Sequence, residues 1–121
     1  MAIMYDCSDG TRVSEATIKR KLGEAYRKKY SGEPFGCCEG CGSNEVNGSA
    51  HIIAKTRCKY DLHMTELIWN PINFFRACSA CNRAIENPSG EAWKKLRNLD
   101  HCLYVIEKYD KELYTKFMNN S

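Results

Sequence analysis

The sequence predicts a small α+β fold: a short β-β-α centre held by cysteines, with helices before and after it. Three observations lead there. Two Cys-x-x-Cys pairs, Cys38/Cys41 and Cys78/Cys81, bracket the middle of the chain. Two short stretches between or beside them, AHIIA and INFFR, are β-branched or aromatic and suit strands. Apolar residues recur at helical spacing towards both ends.

The 121 residues suffice for one compact domain with one core. Residues 12–30 read as a basic N-terminal helix, 37–88 as the cysteine-stapled centre and 89–121 as C-terminal helices. Ser14 is placed to cap the first helix by accepting a backbone N–H bond. Ile18, Leu22, Ala25 and Tyr26 share one side of it, and Ser31, Gly32 and Pro34 supply its stop. Residues 36–49 are rich in Gly, Ser and Asn and read as tight turns around cysteines. A long connection over 55–71 separates the two strands, the second beginning after Pro71. SACNRAIEN, residues 79–87, reads as a short helix ended by Pro88. Two more helical patterns follow over 90–98 and 101–118. In the last, Leu103, Ile106, Tyr109, Leu113 and Phe117 recur at helical spacing, with Asp100 as its cap.

Composition narrows the function classes. No apolar run approaches the length that spans a membrane. The opening MAIMYDCSDGTR has no basic segment followed by an apolar core, so a secretory signal is not expected. The net charge of +3 is mild but unevenly placed: residues 12–29 carry seven basic side chains against two acidic ones. Lys19, Arg20, Arg27 and Lys28 in that stretch suit a polyanionic partner, or equally a solvated helix face.

Eight cysteines without an export signal point to metal rather than disulfides. Each Cys-x-x-Cys turn sets two thiolates on one side, where both reach one ion. Cys38, Cys41, Cys78 and Cys81 then make a closed tetrahedral four-sulfur site, the pattern of structural Zn²⁺. Cys37 adjoins Cys38 but lacks the spacing to Cys41. Cys102 reads as core, and Cys7 and Cys58 as spare thiols.

Between and beyond these anchors lie His51, Asn73, Asn82 and Glu86. Here AHIIAKTR followed by NPINFFRACSACNRAIE, about residues 38–86, resembles the HNH nucleases of the His-Me finger (ββα-metal) family. The resemblance implies a DNA endonuclease of the kind common in phages and mobile elements, working in the cytoplasm of a bacterial host. It makes His51 the general base and Asn73 the residue that orients it across the two strands. Asn82 becomes a ligand of a catalytic Mg²⁺ or Mn²⁺. Glu86, one turn later on the same helix face, is placed to be a second ligand. Lys55 and Arg57 are expected to contact phosphates beside the scissile bond.

The chemistry suits these residue types. An imidazole is largely neutral at cellular pH and can take a proton from water, and a divalent ion can act on the phosphate as a Lewis acid. The sequence departs from the family at Ala50, where many members carry a metal-ligating Asp or His. A side chain of the 55–71 connection, such as Asp61 or His63, could supply that ligand. The alternative reading is a catalytically inactive, zinc-stapled module that keeps the scaffold and binds DNA or a protein. A protein partner or homodimer is not indicated by the sequence.

Overall fold

The computed structural model describes residues 3–31, 36–46 and 48–121. It is a small α+β fold with two two-stranded antiparallel sheets. The first is a hairpin that the sequence pattern did not announce: β1 (Met4–Asp6) pairs with β2 (Arg12–Ser14) around a turn in which Gly10 takes φ +89°.

Helix α1 (Glu15–Lys29) follows at once, and the Ser14 hydroxyl accepts from the Thr17 amide as expected of a cap. Ile18 is buried in the core and Leu22 packs against it. Gly32 and Pro34, the expected stop signals, lie outside the described residues; the last helical residue is followed by Tyr30.

Strand β3 (Ser49–His51) pairs with β4 (Phe74–Arg76), with Ala50 opposite Phe75 and His51 opposite Phe74. Both strands are shorter than the apolar runs that suggested them. Asn73 is the reason. Its main-chain carbonyl accepts from the Ile52 amide, and its side-chain oxygen accepts from the Ile53 amide at 2.8 Å. The side chain thus replaces the next ladder partner, and the chain turns away after His51. The connection from 55 to 71 is not open loop. It holds a single wide turn at Arg57–Asp61 and 3-10 turns at Thr65–Trp69 and Pro71–Asn73. Helix α2 (Ser79–Glu86) then packs on β3.

The C-terminal pattern differs from expectation in two places. Residues 90–98 form only a short 3-10 turn, Ala92–Lys95, which sets Trp93 edge-on to Phe117 with ring centroids 4.9 Å apart. The expected helix over 101–118 is two helices, α3 (Leu99–Tyr109) and α4 (Lys111–Asn119), and Asp100 lies inside the first turn of α3. Asp110 breaks the run. Its backbone leaves the helical region, at φ −144° and ψ 80°, and its buried carboxylate caps α4 through the Leu113 amide. The same carboxylate takes two bonds from Arg57, at 2.8 and 2.7 Å.

That ion pair joins the turn after β3 to the α3–α4 junction. Removing one partner of a buried pair leaves the other charge poorly compensated. We expect Asp110→Ala to lower stability by about 3 kcal/mol in urea denaturation, the low end for such pairs because Arg57 keeps Asp61 nearby. An unchanged midpoint would show that water replaces the carboxylate without cost.

One apolar cluster runs from Ile18 through Ile53, Ile68 and Phe75 to Ile106 and Phe117. Cys58 and Cys7 are buried rather than spare, and Cys102 is core. The Cys58 thiol donates to the Ile53 carbonyl, and burial pushes its pKa up to about 12, so it is an inert thiol.

Candidate functional site

The cysteine cluster forms from two turns. In the first, the Cys38 amide donates to the Ser43 carbonyl and the Gly42 amide to the Cys38 carbonyl, both at 2.7 Å. Gly42 takes φ +81°, which favours glycine. Gly40 is required for space, since a Cβ there would stand 2.8 Å from the Cys81 sulfur. The second turn is the start of α2, with Cys78 before its first residue and Cys81 in its first turn.

The four sulfurs of Cys38, Cys41, Cys78 and Cys81 all lie within 4.8 Å of one another. Zn–S bonds of about 2.3 Å in a tetrahedron set sulfurs about 3.8 Å apart. The Cys41 and Cys78 sulfurs are 3.7 Å apart, and all four cysteines are free thiols. The cluster therefore could hold a metal such as zinc. Burial pushes the Cys38 thiol up, but amides of Cys78, Gly40 and Cys41 outweigh that and bring it down to about 7. Burial, together with the neighbouring sulfurs, pushes Cys81 the other way. Four thiols crowded so closely favour a cation between them. Cys37 stands apart, exposed, its thiol on Asn44.

The cluster pins α2 beside β3, and the consequence is a cleft of about 320 Å³. It is lined by Ser49, His51, Ala54, Lys55, Thr56, Asn82 and Glu86. His51, Asn82, Glu86 and Lys55 are thus brought together. A smaller recess shares Ser49 and Asn82 with it and reaches the start of α2.

His51 is held by a partner that no sequence motif names. Its Nε2 donates to the main-chain carbonyl of Ile68 at 2.8 Å. A carbonyl only accepts, so Nε2 carries the proton and Nδ1 is the nitrogen with a free lone pair. Burial pushes the pKa of His51 down to about 4, and the Ile68 bond only partly offsets this. The ring is therefore neutral at neutral pH.

This shift has a stability consequence. The unfolded chain takes up a proton near pH 6.5, whereas the folded chain resists until about 4. The neutral ring's full contribution is present above pH 6.5, is lost as pH falls from there to about 4, and changes no further below. The loss amounts to about 3 kcal/mol. Urea denaturation of the wild type and His51→Gln across that window measures it. Parallel pH profiles for the two proteins would refute it.

The remaining expected site residues fall elsewhere. Asn73 does not orient His51. Its amide donates to the carbonyls of Ile53 and Leu67 at 3.2 and 3.1 Å, so it braces the turn after β3 and the 3-10 segment carrying Ile68. It acts on His51 only through that segment. Arg57 is taken by Asp110 and Asp61 and is not free for a phosphate. Asp61 is paired with Arg57, and His63, at φ +52°, is paired with Asp6, so neither completes the cleft. Lys19, Arg20, Arg27 and Lys28 are exposed on α1, with Arg20 paired to Glu24.

Ala50 is buried and faces Phe75, so it offers no ligand. Among the described residues the four cysteines are the one group of three or more His, Cys, Asp or Glu side chains placed to share an ion. Ser49 and Thr56 line the cleft without having been anticipated, because hydroxyl residues in a turn carry no distinguishing pattern. No described helix is long and apolar enough to cross a membrane. Comparison of the chain with protein-family models, with curated proteins and with solved structures finds no match.

Proposed function

We propose that the chain is a metal-dependent DNA endonuclease of the HNH kind, with a ββα-metal centre in which His51 is the general base. One observation carries the reading. A neutral, proton-fixed His51 shares a cleft with a carboxylate and an amide, Glu86 and Asn82, on a frame stapled by four cysteines.

In this reading the bare Nδ1 of His51 takes a proton from the attacking water as its oxygen bonds to phosphorus. The bond to the leaving oxygen breaks, and that oxygen takes up a proton from solvent. The Ile68 carbonyl keeps the ring in the required tautomer and orientation. Asn82 Oδ1 and the Glu86 carboxylate suit a hard divalent cation that keeps several waters. Such an ion, when bound, supplies positive charge beside the phosphate. Lys55 on the cleft wall adds a cation for a neighbouring phosphate, and the exposed basic residues of α1 make binding depend on salt.

A second reading, an inactive module that binds DNA or a protein, is favoured by Ala50 and by a cleft with one carboxylate. The two separate in a supercoiled-plasmid assay on zinc-loaded protein, with Mg²⁺ or Mn²⁺ added or omitted. Relaxed or linear product that needs both the added ion and His51 supports the nuclease. Intact plasmid under every ion, with branched and single-stranded DNA also left intact by folded and zinc-bound protein, supports the module.

A further inference from the structure

A second cavity, of about 340 Å³, lies between the β1–β2 turn, α1 and the 3-10 segment. It is lined in part by Ser8, Asp9, Thr11, Lys21, Glu66 and Trp69. Its base is built rather than incidental. Glu66 takes the Ser8 amide on both oxygens, at 2.9 and 3.1 Å, and the Ser8 hydroxyl as well. This ties the turn to the segment that carries Ile68 and Trp69.

Three groups remain to act on a ligand. Trp69 is half-buried, so part of its indole is open. The Lys21 ammonium lies 5.4 Å from that ring's centroid. Asp9 accepts from the Thr11 amide and hydroxyl, at 2.9 and 2.6 Å, and both bonds use Oδ1. The lone pairs of its Oδ2 are left to accept from a ligand. A flat ring, a fixed carboxylate acceptor and a cation on a long stem together select a planar donor that carries an anion.

We infer that this cavity binds an unpaired nucleobase with an exocyclic amino group, stacked on Trp69, with its amino group donating to Asp9 and its phosphate on Lys21. Stacking on an aromatic face serves any unpaired base, and a carboxylate selects bases that offer an amino donor. Lys21 need not be lost, because its half-buried contact with the ring is no stronger than a stacked base and its long stem lets it swing to the phosphate. Trp69 directly follows Ile68, whose carbonyl holds His51, so the pocket and the cleft share one rigid segment. The identity of the polymer as DNA rests on the nuclease reading. The pocket adds that the substrate carries unpaired nucleotides, as in branched, gapped or single-stranded DNA.

Tryptophan fluorescence reads this directly, since Trp93 is only 2 % exposed and Trp69 is the remaining indole. Zinc-loaded protein is titrated with short single-stranded oligo-dC and oligo-dT. We expect saturable quenching, with dC bound about tenfold more tightly than dT. Trp69→Ala should weaken binding of a fluorescein-labelled oligo-dC, read by anisotropy because this variant lacks the reporting indole, and Asp9→Asn should bring dC down to the dT level. No saturable quench, or a quench equal for the two oligonucleotides and unchanged in Asp9→Asn, overturns the inference. Because the readout is binding, the two readings fail separately. Divalent-dependent plasmid cleavage without the quench overturns the pocket alone. The quench without cleavage of plasmid, gapped or single-stranded DNA keeps the pocket and overturns the enzyme.

Discussion

His51→Ala is expected to abolish most cleavage, lowering kcat by about 10² to 10⁴-fold with KM nearly unchanged. The size follows from what general base catalysis supplies, and the kcat effect follows from the role: proton transfer is made only in the transition state. The substitution also strips the Ile68 carbonyl of its donor at the cleft wall. His51→Asn, which restores a donor but no base, separates the two effects. It should melt closer to the wild type and cleave no better than His51→Ala. Cleavage by His51→Asn at more than about a tenth of the wild-type rate would remove His51 from the reaction. In that event the neutral ring, with its pKa of about 4, would be a packing feature held by Ile68.

The second large effect concerns the cysteine cluster. Removing a metal held there, or Cys81→Ser, is expected to unfold the region from Cys38 to Glu86 and with it the cleft. Structural zinc contributes about 10–16 kcal/mol to folding in small peptides, as much as or more than the whole stability of a typical domain. Here the sulfurs tie together short elements that otherwise rely on the shared apolar cluster. The paired strands are three residues each, and α2 is eight residues long. Such short elements are marginal alone. Far-UV circular dichroism and thermal melting with and without a strong chelator test this, with zinc added back. A cooperative melt unchanged by the chelator, with zinc shown to be gone, would make the cluster dispensable.

The two effects are linked. The cluster joins the turn before β3 to the start of α2, so Asn82 and Glu86 are expected to leave the cleft of His51 when that join is lost. Loss of cleavage on chelation is thus expected from structure alone, before any catalytic ion is considered. For that reason the divalent-ion test omits the ion and does not extract it.

Much of the centre was legible because its signals are local. The x-x spacing within each cysteine pair sets a turn, Ser14 caps the helix that starts at the next residue, and Pro88 ends α2. Asn82 directly follows Cys81 and Glu86 lies one turn on, so sharing a helix face was a matter of counting. The N-terminal hairpin escaped because its strands are three residues long, too short for alternation to register. The break at Asp110 escaped because Leu113 and Phe117 continue the helical period of α3. A lone aspartate inside an apolar-periodic run was the available signal, since Asp favours caps over helix interiors.

What the sequence by itself determined is the inventory: four thiols in two turns spaced to share a metal, a histidine on one short strand, and an amide and a carboxylate on the helix that follows. What only the tertiary structure decided is which partner each side chain keeps. The Ile68 carbonyl fixes the proton on His51, Asn73 spends its side chain on the backbone of Ile53 and Leu67, and Asp110 claims Arg57 from 53 residues away. The physical reason is that every residue carries a carbonyl, so a main-chain acceptor leaves no mark on the sequence. A buried ion pair is likewise settled by which elements the core brings into contact.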